Sequence, residues 1–208
     1  MPRSPVRVLR VVFALALLAA SAPGAEAETW AFGASAFVFD PPEDHAFVSP
    51  IVDADRGVLH LEARYNYEDL ETGSAFIGRT FEFAGNVPGT IVPVIGLVLG
   101  RTDAVAPGVN LDLAWRRLAF STESEVILDL HDHNDSFLYS WLETTVAVAG
   151  GLRLGVVGQH TKTYDTGLEI QRGPMIEWSR RRGWLGFYWF NLDRPDDQAF
   201  VFAGGYGF

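Results

Sequence analysis

The chain has 208 residues, of which 48% are hydrophobic and 20% charged, and its formal net charge is −10. This length predicts a single domain, and an acidic chain without a basic stripe argues against nucleic-acid binding. Because the chain has no cysteine, a disulfide scaffold, thiol catalysis and a cysteine-ligated metal site are excluded.

The N-terminal residues are typical of a secretory signal peptide. Arg3, Arg7 and Arg10 precede the apolar residues 11–20, and Ala25-Glu26-Ala27 forms an A-x-A cleavage site. The apolar run is too short for a membrane-spanning helix, which argues against a retained anchor. We therefore expect residues 1–27 to be removed and residues 28–208 to form the mature domain, with a net charge of −12.

Apolar and polar residues alternate along most of the mature chain, which predicts β-strands. In residues 59–68, Leu59 and Leu61 lie on one face, and His60 and Glu62 lie on the other. Residues 87–100 are the most apolar, and their prolines and glycines argue against a helix. The other predicted strands, in chain order, are residues 30–38, 47–55, 74–83, 109–116, 118–129, 136–148, 152–162, 167–178, 184–192 and 199–208.

Two of these segments have an ambiguous phase. In residues 74–83, Phe76 and Phe81 fall on opposite faces, which predicts a β-bulge near Gly78. In residues 184–192 both faces are apolar. Short turns alternate with longer loops rich in Asp and Pro, so we expect about twelve antiparallel strands in a hairpin meander.

Long strands and alternating loop lengths favour a membrane barrel over a soluble barrel. The predicted strands have about 9–12 residues, as a membrane-spanning strand requires, whereas soluble strands average nearer 5–6. Aromatic residues at the strand ends suit the girdles at the two membrane interfaces. The predicted girdle residues are Trp30, Tyr65, Tyr67, Trp115, Phe137, Trp178, Trp184 and Tyr206.

The last ten residues, AFVFAGGYGF, carry the clearest family signal. Phe202, Tyr206 and Phe208 share one face, and Phe208 is the last residue. In these features the chain resembles the Gram-negative outer-membrane β-barrel superfamily. The usual C-terminal signal of that superfamily has a glycine where this chain has Ala203. The resemblance implies an all-β, closed, antiparallel up-and-down transmembrane barrel in the outer membrane. It also implies that the barrel-assembly machinery reads Phe202, Tyr206 and Phe208 as a signal.

In such a barrel the polar faces line the lumen. We predict a lumen wall that is net negative and therefore weakly cation-selective, with an apolar exterior. The predicted lumen-lining residues are Asp53, Asp55, His60, Glu62, Arg64, Asn66, Asp112, Arg116, Glu123, Glu125, Glu143, Arg153, Glu169 and Glu177.

Other chemistry has weaker support. His131, Asp132 and His133 are ligand types for divalent metals, but polar residues are also expected in a loop. Some outer-membrane barrels of this size are lipid hydrolases with a serine and a histidine near the lipid-facing rim. Ser136 and Ser140 follow the two histidines here, but no His-x-Ser motif is present. We predict no catalytic residues, no cofactor and no metal.

The sequence favours a monomeric outer-membrane barrel, in contact with membrane lipid, that forms a narrow channel for small polar or cationic solutes. The alternatives are a closed structural barrel, a lipid-modifying enzyme of the outer membrane and a soluble periplasmic ligand-binding barrel. Twelve strands lie between the filled interior of about 8 strands and the open channel of 16–18, so strand number does not decide between them.

Overall fold

A computed structural model of the chain describes residues 29–42, 45–163 and 168–208, and these residues form one antiparallel β-sheet. The strands are β1 (Ala31–Asp40), β2 (Phe47–Arg56), β3 (Leu59–Tyr65), β4 (Gly73–Arg79), β5 (Phe81–Phe83), β6 (Gly89–Leu99), β7 (Ala104–Trp115), β8 (Leu118–Asp129), β9 (Phe137–Ala149), β10 (Leu152–Thr163), β11 (Leu168–Arg180), β12 (Gly183–Phe190) and β13 (Ala199–Gly207). Two single-turn 3-10 helices, His133–Asp135 and Pro195–Asp197, lie in loops.

The sheet closes on itself because β1 pairs with β13 as well as with β2. Strands β4 and β5 both pair with β6 and occupy one position in the barrel, which therefore has 12 strand positions. The predicted closed, up-and-down antiparallel barrel is confirmed. Closure removes the unpaired sheet edges that an open sheet would expose.

The two ends of the barrel differ. The end that carries residues 29–31 and 207–208 also carries the short turns, and we call it the termini end. The opposite end carries the longer connections, including residues 66–72, 130–136 and 191–198, and we call it the loop end. Two-residue turns at the termini end use left-handed residues, such as Arg116 (φ 56°) and Arg181 (φ 58°).

The bulge predicted near Gly78 is absent. Gly78 faces Val94 and Phe81 faces Ile91, so the register with β6 is the same on both sides of Thr80. Phe76 and Phe81 lie on opposite faces simply because one has an even and the other an odd position in a regular strand. Phe76 is buried inside the barrel, whereas Phe81 is exposed.

The outer surface of the barrel is apolar. The adjacent residues Val156 and Val157 point to opposite faces, and their exposed fractions are 61% and 2%. Exposed outward side chains on other strands are also apolar, for example Val52, Ile95 and Leu185. A continuous apolar surface of this extent is the surface that lipid would cover.

The interior is only partly charged, because two buried apolar clusters fill much of the loop-end half. One consists of Tyr139, Trp141, Val157, Met175, Tyr188, Phe190, Ala199, Val201 and Ala203, and the other of Phe76, Val94, Val98, Ala104, Ala106 and Ile127. Tyr67, Phe137 and Trp184 pack against the first cluster, so their placement in an outer aromatic girdle was wrong. Tyr65, Trp115, Trp178 and Tyr206 do lie exposed on the outside.

No helix in the described parts of the chain is long and apolar enough to cross a membrane. The predicted signal peptide, residues 1–27, lies outside the described residues and stays a prediction.

Candidate functional site

The interior of the barrel contains the largest concentration of charged side chains, and its centre is Arg64. Strand β3 places Arg64, with an exposed side-chain fraction of 1%, opposite β8. Its Nη1 lies 2.5 Å from Glu123 Oε1, 3.3 Å from Glu125 Oε1 and 3.5 Å from Glu68 Oε1, and its Nε contacts Glu62. We call these five residues the Arg64 cluster.

Two aromatic rings hold the guanidinium of Arg64 from its sides. Its carbon Cζ lies 4.4 Å from the ring centre of Phe76 and 4.6 Å from that of Tyr67. Aromatic faces attract a guanidinium, most strongly where water is excluded. Arg64 is therefore fixed across the interior, where it links β3, β4, β8 and the loop of residues 66–72.

The Arg64 cluster has more negative than positive groups, since four carboxylates share one guanidinium. Glu68 Oε2 and Glu125 Oε2 are buried and accept no hydrogen bond from the described residues. Glu68 lies in the loop of residues 66–72, outside the strands, and accepts a 2.7 Å hydrogen bond from the Ser74 hydroxyl. Burial raises the pKa of the Glu68 carboxyl above its usual range, although the nearby Arg64 opposes this change.

A second polar group lies next to the Arg64 cluster, toward the termini end. His60 Nδ1 is 2.8 Å from Asp55 Oδ1, and His60 Nε2 is 3.5 Å from Glu62 Oε2. Asp53 faces Glu62 across the β2–β3 pair. A Cβ at Gly33 would overlap the Asp53 carboxylate, so the glycine makes room for this side chain on β1.

A cavity of about 490 Å³ extends from the Arg64 cluster toward the termini end. Five of its lining residues are aromatic, and these are Phe37, Tyr67, Trp141, Trp184 and Tyr188. Four are acidic, and these are Asp112, Glu123, Glu143 and Glu177. Tyr67 and Glu123 connect the cavity to the Arg64 cluster, while Ser179 and Trp184 lie close to the turn between β11 and β12.

The strand register places most of the predicted lumen residues on the inner face. The inward residues are Asp53, Asp55, His60, Glu62, Arg64, Asp112, Glu123, Glu125, Glu143, Arg153, Glu169 and Glu177. The Arg64 cluster brings together Glu62, Arg64, Glu123 and Glu125, whereas Glu169 lies near the loop end of β11.

Asn66 and Arg116 do not line the lumen, contrary to the prediction. Each follows the end of a strand and has a left-handed backbone, with φ 56° for both. Asn66 donates a hydrogen bond to the Val48 carbonyl. The guanidinium carbon of Arg116 lies 5.1 Å from the ring centre of Trp115, which points outward. The predicted strands run past the observed strand ends, by one residue at Arg116 and by three residues after Tyr65, because a turn with positive φ interrupts the strand phase in both cases.

Several interior residues escaped the sequence analysis. Tyr67 follows the turn at Asn66 and points inward, although strand alternation placed it outside. Asn110 lines the cavity with a buried Oδ1 that accepts no hydrogen bond from any residue the structure describes. Trp184 lies in a segment whose two faces are both apolar, so the sequence pattern does not predict its inward orientation, which its contact with Phe37 shows.

In the loop that contains His131, Asp132 and His133, polar side chains bind the backbone of the loop itself. No group of three or more His, Asp or Glu side chains in the described residues is close enough together to hold a metal ion. Asp132 instead caps the short 3-10 helix His133–Asp135 by accepting a hydrogen bond from the Asn134 backbone. Asp129 accepts two more backbone hydrogen bonds, from His131 and Asp132, which order the loop.

The two serines considered for hydrolytic chemistry are held by other groups. The Ser136 hydroxyl accepts a 3.1 Å hydrogen bond from the Asp129 backbone. The Ser140 hydroxyl lies 2.5 Å from the Ser124 hydroxyl. Neither arrangement pairs the serine with a general base, which nucleophilic catalysis requires.

Comparison with known proteins gives a fold. No protein-family model matches the chain, and no curated protein matches its sequence. The barrel is similar to the solved structure of the KdgM porin, with a TM-score of 0.64 and 9% identity over 85% of this chain and 99% of that chain. A second structure, the KdgM porin in complex with disordered oligogalacturonate, matches with a TM-score of 0.62 and 8% identity over the same shares. OccK5 (OpdH) of Pseudomonas aeruginosa has a TM-score of 0.47 and 11% identity, over 86% of this chain and 67% of that chain.

Proposed function

We propose that the chain is an outer-membrane barrel of a Gram-negative bacterium and forms a narrow channel for small polar or cationic solutes. The observation that carries this proposal is the contrast between the two faces of one closed sheet: the outer face is apolar, and the charged part of the inner face has an excess of carboxylates. Similarity to the fold of a porin supports it. A soluble ligand-binding barrel would show the opposite arrangement, with an apolar interior and a polar exterior.

The difference between the two ends of the barrel indicates how the barrel is oriented in the membrane. Short turns belong on the periplasmic side of such barrels, and longer loops belong outside the cell. The termini end would then face the periplasm. Phe202, Tyr206 and Phe208 point outward on the last strand, where the barrel-assembly machinery could bind them.

The sign of the interior charge supports cations as the preferred ions. Two of the predicted lumen-lining residues that face the interior are cationic, Arg64 and Arg153. The other charged residues of that set are Asp and Glu, together with one histidine, His60. Rings of Asp and Glu favour cations in pores. An oligogalacturonate, the ligand in the KdgM complex, carries a carboxylate on each sugar, so we infer that this chain transports a different class of solute.

A closed structural barrel is the second candidate, and the filled loop-end half of the interior favours it. Val98, Ala104, Ile127 and Phe190 are fully buried, as in the core of a soluble protein. In the channel proposal, the Arg64 cluster and Tyr67 form the narrowest part, and the cavity toward the termini end is the wider part.

Planar-bilayer recordings of the purified full chain distinguish the two candidates. We expect a small, defined conductance for the unmodified protein and a larger one for Arg64→Ala and Tyr67→Ala. Tyr65→Ala is the matched control, because Tyr65 lies two residues away and is exposed on the outside. A silent unmodified protein with conducting variants would favour the closed barrel.

Cell fractionation tests the location separately. The chain should be recovered with the outer membrane, and its barrel should migrate differently on gels before and after heating. Recovery in the soluble periplasmic fraction would overturn the proposal.

A further inference from the structure

The cavity toward the termini end combines two kinds of wall, and the first is aromatic. Phe37 lies at its centre, with ring centres 6.4 Å from Tyr67, 6.1 Å from Trp141 and 6.0 Å from Trp184. These rings meet edge-to-face or tilted, which is the preferred geometry of aromatic pairs. The wall is therefore preorganised without a ligand.

Local packing fixes the position of Trp184 in this wall. A Cβ at Gly205 would lie 2.5 Å from Trp184 Nε1, so the indole rests directly on the backbone of β13. Any larger residue at position 205 would displace the indole from this position. The absence of a side chain at position 205 therefore allows the observed orientation of Trp184.

The second wall is acidic. Asp112 on β7, Glu123 on β8, Glu143 on β9 and Glu177 on β11 contribute carboxylates. Glu143 accepts a 2.7 Å hydrogen bond from Trp141 Nε1, which ties the two walls together.

The nearby cations neutralise only part of this wall. Arg64 pairs with Glu123, at 2.5 Å, and shares its charge with the three other carboxylates of its cluster. Arg153 faces Glu177 across the β10–β11 pair but directs its Nε to the Thr145 hydroxyl, at 2.8 Å. The described lining of the cavity holds four carboxylates and no Lys, Arg or His, so an excess of negative charge remains, and Asn110 presents a buried amide oxygen that accepts no hydrogen bond from the described residues.

Carboxylates together with aromatic faces select one class of ligand. Aromatic rings attract weakly hydrated organic cations, and quaternary ammonium groups are the best-known case. A compact metal ion would need several carboxylates placed to ligate it, and no group of three or more His, Asp or Glu side chains in the described parts of the chain could hold a metal ion. A cavity of about 490 Å³ is within the usual range for a small-molecule site.

We propose that the termini-end cavity is a binding site for small organic ammonium ions, held between the aromatic wall around Phe37 and the carboxylates of Asp112 and Glu177. Organic ammonium ions would then be the class of solute that the proposed channel transports, and this physiological role rests on the proposed function. Binding itself is a property of the cavity and can be measured without a membrane.

Isothermal titration with a matched pair of ligands tests the site. Choline and 3,3-dimethyl-1-butanol have nearly the same shape, and only choline carries a charge. The full chain is studied in a polyoxyethylene detergent, which contains neither ammonium nor sugar. We expect choline to bind at least tenfold more tightly than the neutral alcohol, and maltose not to bind.

Substitutions locate the site. Asp112→Asn and Trp184→Leu should each weaken choline binding by tenfold or more. Glu169→Gln removes an inward carboxylate near the loop end of β11, far along the strand from Glu177, and should leave binding unchanged. Circular dichroism checks that every variant keeps its β-sheet, and a misfolded variant is replaced by Glu177→Gln or Phe37→Leu.

Three results would overturn the inference. These are equal affinity for choline and the neutral alcohol, binding of maltose in preference to choline, and undiminished choline binding in the folded cavity variants. A protein that conducts ions without binding choline would overturn only this inference. A protein that binds choline but never conducts would overturn only the channel.

Discussion

Arg64 lies against Phe76, with the guanidinium carbon 4.4 Å from the ring centre, deep inside a barrel whose outer surface is apolar. This contact joins β3 to β4, and the ion pairs of Arg64 reach β8 on the other side. The two residues therefore connect the charged and the apolar parts of the interior.

Replacing Arg64 should destabilise the barrel strongly. Arg64→Met keeps much of the side-chain volume but leaves Glu62, Glu123 and Glu125 close together without a cation. Breaking a buried ion pair in this way costs about 3–5 kcal/mol. Urea unfolding in lipid vesicles measures the loss.

Arg194→Met is the control for this measurement. Its ion pair with Asp197, at 3.7 Å, is exposed, and exposed pairs contribute roughly 0–1 kcal/mol. Equal effects of the two substitutions would show that Arg64 is not buried among carboxylates.

Phe76 requires a glycine opposite it on β6. A Cβ at Gly96 would overlap the ring of Phe76, so we expect Gly96→Ala to destabilise the barrel by about 1–3 kcal/mol. The same substitution at Gly158, where a Cβ would meet nothing within 4 Å, should have a much smaller effect. Phe76→Leu should rescue much of the loss, and additive effects in the double variant would contradict the proposed contact.

The outer surface should tolerate charge only at its margins. Val156 lies near the middle of β10 and faces outward, so Val156→Arg should cost about 2–4 kcal/mol in a bilayer. Leu130→Arg, at an equally exposed position in the loop of residues 130–136, should cost little. Unfolding titrations in vesicles compare the two, and a neutral Val156→Arg would argue that water covers this surface.

Glu68 predicts a dependence of stability on pH. Because its pKa is raised in the folded state, its contribution to stability is fully present below the unfolded pKa and is lost as the pH rises through the folded pKa. Glu68→Gln should therefore lose less stability than the unmodified protein between pH 5 and pH 8. Glu71→Gln alters an exposed glutamate of the same loop and should follow the unmodified protein, whereas identical pH profiles for all three would contradict this assignment.

The strand pattern was predictable because a half-buried strand has a strict period of two. The structure confirms about twelve strands and the closed barrel, and it places His60, Glu62 and Arg64 together on the inner face of β3.

The filling of the interior was not predictable, because it depends on contacts between distant strands. Arg64 and Glu125 are 61 positions apart, and no local pattern pairs them. Where both faces of a strand are apolar, as around Trp184, the alternation of apolar and polar residues does not indicate which side chains point inward. Tyr67 lies beyond a left-handed residue, Asn66, which changes the direction of the chain.

The reversal potential of single channels under a KCl gradient measures directly whether the barrel has an acidic lumen that conducts. We expect a reversal potential with the sign of a weakly K⁺-selective pore, shifted toward zero by Asp112→Asn and Glu177→Gln. A reversal potential with the sign of Cl⁻ selectivity, or no current from correctly folded protein, would contradict it.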